Sequence, residues 1–273
     1  VIPAAFDYLR VGSVDEAVAA LGEHGDEAKL LAGGHSLLPL MKLRLATPAV
    51  LVDIGPIGEL SYVRDGGDHV AIGAMTRHHD VHQDATIMRD APLLSTVAGK
   101  IGDPQVRHRG TIGGSIAHGD PASDLPGAVL ALGGTMVVRG PGGEREIAAS
   151  DFFVGFLETA LAPNEVLTEI RVPKATGGHS YQKFVRRSQD WAIVGVAVAR
   201  AGGRVGVSLV NVAATPVRAA AVEAALSDGA GAAEAAERAA DGLEPSGDNN
   251  ATPEYRRHLA RVLTRRGLEE AGL

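Results

Sequence analysis

Helices and strands in mixed order, gathered into two domains of unequal size, are what the 273-residue sequence predicts. Three observations carry that prediction. The length exceeds the usual single-domain range. The apolar pattern switches repeatedly between helical and strand periodicity. A Gly-rich link at "ATGGHSYQKFVRR" leads from the long first part into extended β-rich stretches and then helices.

The first helix is "SVDEAVAALGEHG", where Ser13 and Glu16 have capping-box spacing and Val14, Ala17, Val18 and Leu21 share one face; Gly22 or Gly25 is its expected stop. A strand "AKLLA" follows, then the Gly33-Gly34 turn. Ser36 is placed to cap a short helix in "SLLPLMKLRL", with Pro39 tolerated in its first turn. "AVLVDI" is the next strand. From Ile57, "ELSYVRDGGDHVAIGAMT" reads as a hairpin around an Asp-Gly-Gly turn that opens a second subdomain. Helices are expected at about 76–83 and 92–101, and again in "LPGAVLALGG" behind the glycines of "GTIGGSIAHGDPASDLP". "TMVVRG" and "VLTEIRVP" are strands. In the second domain a β-rich run turns at Gly202-Gly203, Ala-rich helices fill 216–240, and a last helix starts with Thr252 as cap and Pro253 in its first position. The Arg-rich face of that helix is expected in solvent.

Composition narrows the chemistry. With 45% hydrophobic but only 4% aromatic residues, Val, Leu, Ile and Ala must fill the cores. A net charge of −7 argues against general affinity for nucleic acid, yet leaves phosphate binding by backbone N–H groups open. The chain has no cysteine, so it offers no disulfide, thiolate nucleophile or Cys-ligated cluster of its own. No apolar run approaches about 18 residues, and the start lacks the pattern of a signal peptide. A cytoplasmic location is the expectation.

Two glycine segments stand out: "AGGHS" at 32–36 and "TIGGS" at 111–115, each after an extended stretch and before a helix. Glycine permits positive φ and close ligand approach, and Ser36 and Ser115 add hydroxyls, so two converging turns can grip a pyrophosphate. Alanine at any of these glycines that takes positive φ would cost roughly 1–2 kcal/mol. A Gly-Gly pair by itself is usually an ordinary turn, and this chain has several others, including Gly66-Gly67, Gly133-Gly134, Gly142-Gly143 and Gly202-Gly203. Neither segment is a Rossmann or Walker motif.

Together, "LLAGGHSLLPLMKLRLATP", "IGDPQVRHRGTIGGSIAHGDPASDLP", "DFFVGFLETALAPNEVLTEIRVP" and "QKFVRRSQDWA" resemble the FAD-binding medium subunits of the molybdenum hydroxylases, most nearly those of the carbon monoxide dehydrogenase type. The resemblance runs in order through nearly the whole chain. It implies an α+β fold: an FAD-binding module of the vanillyl-alcohol oxidase (PCMH) type over 1–175, in subdomains of about 1–56 and 57–175, then a C-terminal α+β domain over 176–273 with a three-stranded sheet and helices. It implies noncovalent FAD held by Ala32, Gly33, Gly34, His35 and Ser36 and by Thr111, Ile112, Gly113, Gly114 and Ser115. Asp124 matches the family's acidic contact to FAD, Ile101 and Leu167 its apolar groups near the flavin ring, and Lys183 a flavin-contacting lysine. The partners implied are a molybdopterin-binding large subunit and a small subunit with [2Fe–2S] clusters, as a dimer of heterotrimers, in the cytoplasm or at the inner face of the membrane. His108 departs from the pattern, where the family more often has asparagine.

Other residues invite sharper stories. His78 and His82 have i, i+4 spacing that superficially suits zinc, but a solvated helix is the expected reading, with no H-E-x-x-H base present. His35 is open to three: a loop member, a covalent flavin attachment point or an acid–base group. Asp124 could also simply cap the helix beginning at Leu125. No triad spacing supports a hydrolase, and no catalytic or metal-ligating residue is assigned. The rival functions are a stand-alone FAD-dependent oxidase or reductase of the same superfamily and a noncatalytic nucleotide-binding module.

Overall fold

The computed structural model describes residues 2–201 and 203–273, so Gly202 of the expected Gly202-Gly203 turn lies outside the described residues. Three parallel strands, Asp7–Arg10, Val50–Asp53 and Ala28–Leu31 in that spatial order, form the first sheet. The helix Val14–His24 connects two of them. Its Glu16 N–H donates to Ser13 Oγ at 3.2 Å, while Gly12 N–H donates to Glu16 Oε2 at 2.7 Å. The helix runs through Gly22 and stops at Gly25, which has φ 52°. Val11, Ala17, Val18, Leu21, Val52 and Ile54 make this small core.

The second subdomain is a five-stranded sheet ordered Val63–Asp65, His69–Gly73, Val166–Pro173, Thr135–Gly140 and Gly143–Ala148. The hairpin of its first two strands is the expected one, and Gly67 N–H donates to Asp65 Oδ1 at 2.8 Å in its turn. Helices His78–Gln83, Ala85–Asp90, Pro92–Gly99, Pro104–Arg107, Ile112–His118 and Asp124–Leu132 accompany the sheet. The helix expected from about residue 76 begins two residues later, because Arg77 is held extended by a bridge to Thr111.

The C-terminal sheet corrects the sequence reading. It has four strands, not three: His179–Phe184, Val194–Ala201, Arg204–Val210 and the short Val217–Arg218, in a stretch expected to be helical. The helices Ala220–Ser227 and Ala232–Ala236 begin only after it. The long helix Pro253–Glu270 starts as expected, with Thr252 Oγ1 accepting from Tyr255 N at 3.3 Å. Its Arg256, however, is only 2% exposed and donates to Ile193 O, to Asn211 O at 2.9 Å and to Asp248 Oδ2 at 2.8 Å. Three acceptors, two of them carbonyls at the ends of the central strands, draw this one arginine out of solvent.

Every residue of Asp124–Leu132 is buried. An all-round apolar helix must be covered on all sides, and here the five-stranded sheet covers one side and the C-terminal sheet another. Ser208 Oγ donates to Gly127 O at 2.6 Å, and a Cβ on Gly127 would come within 2.7 Å of Val210 Cγ1. The C-terminal domain is therefore packed onto the helix that carries Asp124. Among the described residues, no helix is long and apolar enough to cross a membrane.

Candidate functional site

The three parallel strands end at Arg10, Leu31 and Asp53, and a cavity of about 320 Å³ opens there. Ala32, Gly33 and Gly34 line it, joined by Tyr8, Arg77 and Arg109. The carboxyl ends of parallel strands are where open α/β sheets receive ligands. Gly34 adopts φ 75°, as a glycine turn requires, whereas Gly33 does not, and neither do Gly113 and Gly114. Among the described residues, no backbone carbonyl accepts from the N–H groups of Gly33, Gly34, His35 or Ser36. Ser36 precedes the helix Leu37–Lys42 without bonding its backbone, so the expected side-chain cap is absent and the hydroxyl is free of that duty. His35 is exposed.

The second glycine segment differs from expectation. "TIGGS" is not a turn but the start of the helix Ile112–His118, with Thr111 as its cap, Oγ1 accepting from Gly114 N at 3.1 Å. Ile112 N–H donates to Thr76 O at 3.0 Å, Gly113 N–H to Ala74 O at 2.8 Å and Ser115 N–H to Thr111 O at 3.1 Å. Gly113 is needed for packing, since a Cβ there would lie 2.5 Å from Ala74 Cβ. Ser115 Oγ shares a hydrogen bond of 2.9 Å with Ser123 Oγ. The segment thus offers a closed surface and hydroxyls, while the donors come from the first.

The two segments touch. A Cβ on Gly33 would collide with Arg109 O and lie 2.8 Å from Gly110 Cα, and one on Gly114 would be 3.7 Å from Ala32 Cβ. Arg77 donates to Arg109 O and is half-buried, which together with the Arg109 charge lowers its pKa. Asp53 is engaged by Tyr8 Oη and by Gly55 N–H at 2.8 Å. Arg10, Arg77 and Arg109 therefore give the cavity an excess of positive charge. Sequence reasoning missed all three arginines and Tyr8; only Arg109, beside Gly110-Thr111, had a local signal.

Beneath the second segment lies His78, 5% exposed, with Nδ1 buried and unpartnered. Burial first, then the nearby His35, Arg77 and Arg107 charges, lower its pKa to about 4. His82 Nδ1–H donates to Ser95 O at 2.9 Å, so the two histidines are separately engaged and His78 is not on a solvated face.

The remaining expected residues form one connected group. Asp124 is the first residue of its helix and Ser123 its cap, so the alternative capping role falls to Ser123's position. Asp124 accepts from Tyr181 Oη and, at 2.7 Å, from Lys183 Nζ. Lys183 Nζ also donates to Lys100 O at 3.1 Å. Arg107 Nη1 donates to Ile101 O at 2.9 Å and Gly102 O at 3.2 Å, tying Ile101 to the end of the helix Pro104–Arg107. Leu167 is buried in the core against which Ile101 packs. Its neighbour Thr168 accepts from Ala74 N at 2.9 Å, and Ala74 O accepts from Gly113.

Comparison with known proteins gives the family. Residues 4–175 match the FAD binding domain in molybdopterin dehydrogenase, and residues 179–271 the CO dehydrogenase flavoprotein C-terminal domain. The carbon monoxide dehydrogenase medium chain of Hydrogenophaga pseudoflava is 44% identical, over 99% of this chain and 98% of that one. The corresponding chain of Afipia carboxidovorans is 40% identical over the same shares. A solved carbon monoxide dehydrogenase structure from H. pseudoflava, lacking the Mo-pyranopterin moiety, superposes with a TM-score of 0.96 at 45% identity, covering 99% of this chain and 98% of its counterpart. With both domains matched, the chain belongs to the FAD-binding family of the molybdopterin dehydrogenases that carries the CO dehydrogenase flavoprotein C-terminal domain.

Proposed function

We propose that this chain is the FAD-binding, electron-transferring subunit of a molybdenum hydroxylase complex of the carbon monoxide dehydrogenase type. The observation that carries the reading is the contact of the two glycine segments at a cavity bearing free backbone donors and surplus arginine charge. A pyrophosphate dianion needs donors and positive charge at close backbone approach. When bound, FAD supplies the redox chemistry between iron–sulfur clusters on a partner and an external acceptor, whether quinone, NAD or oxygen.

The protein's own part is to bind and orient. Ala32, Gly33, Gly34, His35 and Ser36 supply donors to the pyrophosphate, and Thr111, Ile112, Gly113, Gly114 and Ser115 supply the wall opposite. Asp124 and Lys183 fix a second part of the cofactor, with Ile101 and Leu167 furnishing apolar packing. Residues 1–175 form the FAD-binding domain and 176–273 the C-terminal domain. FAD is held noncovalently, with His35 a member of the loop. The partners are a molybdopterin-binding large subunit and a [2Fe–2S] small subunit, assembled in the cytoplasm as a dimer of heterotrimers.

Native purification through a tag on this chain tests the proposal. The expected product is a complex containing molybdenum, iron and flavin, with the flavin released into the supernatant by acid precipitation. A flavoprotein that turns over substrate alone, without molybdenum or iron, would instead establish the stand-alone oxidase or reductase.

A further inference from the structure

Tyr181 has a position the proposed function does not use. It lies on His179–Phe184 of the C-terminal sheet, only 2% exposed, and its hydroxyl donates to Asp124 in the other domain, itself 7% exposed. The Tyr181 backbone is held as well. Lys100 Nζ donates to Tyr181 O at 2.7 Å and stands 5.7 Å from the ring centroid. Across the sheet, Gly195 pairs with Lys183, and a Cβ at Gly195 would come within 2.8 Å of Tyr181 Oη. Glycine on that strand leaves the hydroxyl its place.

A carboxylate has about four acceptor sites on two oxygens. Tyr181 occupies one oxygen of Asp124 and Lys183 the other, so the rotation of the carboxylate is fixed from the C-terminal domain. We propose that Tyr181 is a positioning residue that keeps Asp124 ionised and correctly turned to accept a hydrogen bond from bound FAD. This rests on the FAD reading above.

The groups facing Asp124 are Tyr181 and Lys183 from the C-terminal sheet and Lys100 from the end of the helix Pro92–Gly99. Its own helix adds no other charge. Burial drives the Asp124 pKa up, and Lys183, Tyr181 and Lys100 oppose that rise. Without the phenolic donor, nothing replaces the lost hydrogen bond, and Asp124 takes up its proton at higher pH. Binding that depends on the carboxylate is then lost earlier on acidification.

The test is FAD titration, by flavin fluorescence, of the full chain stripped of cofactor, across pH 5–9. Wild type, Tyr181→Phe, Asp124→Asn and the double variant are compared. Affinity of the wild type should fall on the acid side. In Tyr181→Phe the midpoint of that fall should move up by about one pH unit, giving roughly two- to fivefold weaker binding between the two midpoints and about tenfold weaker binding below both. Asp124→Asn should remove the fall altogether, and the double variant should match Asp124→Asn alone. An unmoved midpoint in Tyr181→Phe, or an acid fall that survives in Asp124→Asn, overturns the inference while leaving FAD binding intact. A wild-type chain that binds no FAD at any pH would overturn the functional reading as well.

Discussion

Gly33→Ala is the most direct perturbation of the proposed clamp, because the two segments meet at that position. The cost is not left-handed strain, since Gly33 does not adopt positive φ. It is collision with backbone, which cannot swing aside: the added Cβ would lie 2.8 Å from Gly110 Cα and 3.0 Å from Arg109 C, and nearer still to Arg109 O. Restoring ordinary contact at 3.4 Å requires the segments to part by at least 3.4 − 2.8 = 0.6 Å. Parting by that amount takes a hydrogen bond from about 2.9 Å to about 3.5 Å, where little of it remains. Loss of one or two hydrogen bonds to a charged phosphate, at about 1.5–3 kcal/mol each, weakens binding by about tenfold at the least and about ten-thousandfold at the most. Overpacking costs the apoprotein about 1–3 kcal/mol, seen as a modest fall in Tm. Fluorescence titration with FAD, alongside thermal unfolding of the apoprotein, measures both. Gly142→Ala, in open space at ordinary φ, is the control. If Gly33→Ala bound FAD within about threefold of wild type while folding normally, the claim that the segments grip the cofactor together would fall.

Three further outcomes are expected. Gly114→Ala places a Cβ 2.7 Å from Thr111 Oγ1 and so dislodges the helix cap; it should lower stability by only about 1 kcal/mol yet reduce the flavin bound to the purified protein, read from its visible absorbance. His78 has its folded pKa depressed to about 4 from 6.5, so the stability due to its neutral form is complete above pH 6.5 and is lost as pH falls towards 4. That loss is worth about 3 kcal/mol, and urea unfolding against pH should show it flattened in His78→Leu. Gly22 lies inside the first helix with open space around its Cβ position and ordinary φ, so Gly22→Ala should raise stability by about 0.5–1 kcal/mol in urea unfolding without changing FAD affinity.

What could be read from the sequence was what is local. The helix Val14–His24 declared itself through Ser13 and Glu16, which lie three residues apart, and "LPGAVLALGG" through ten apolar or small residues that only a doubly covered helix could tolerate. The glycine segments were visible for the same reason. The fourth strand of the C-terminal sheet was hidden because two residues, Val217 and Arg218, carry no periodicity; their pairing with Leu209 and Ser208 creates the strand. "TIGGS" reads as a turn in the sequence because the deciding partners of its helix, Ala74 and Thr76, are far away along the chain. The arginines were hidden likewise. Arg10 reaches the cavity as the end of a strand and Arg77 through a bridge to Thr111, and neither fact has a signature in neighbouring residues.

The same contrast explains how a chain without a catalytic triad can still have a demanding site. The first glycine segment contributes donors because its N–H groups find no backbone acceptor, whereas the second has given its own to Ala74, Thr76 and Thr111 and contributes rigidity. Rigidity matters here because a hydrogen bond loses most of its worth within a fraction of an ångström. Asp124 extends the logic across the domain boundary: it stands on a helix buried between two sheets, and both of its oxygens are engaged from the C-terminal one. A buried pair such as Asp124–Lys183 is a poor source of stability, since desolvation consumes much of the attraction. Its value is in fixing direction. One core runs from the five-stranded sheet and its helices into Tyr181, Ala197 and Ala199 of the C-terminal sheet, so under the proposed function binding at the glycine segments should depend on that sheet being seated on the helix Asp124–Leu132.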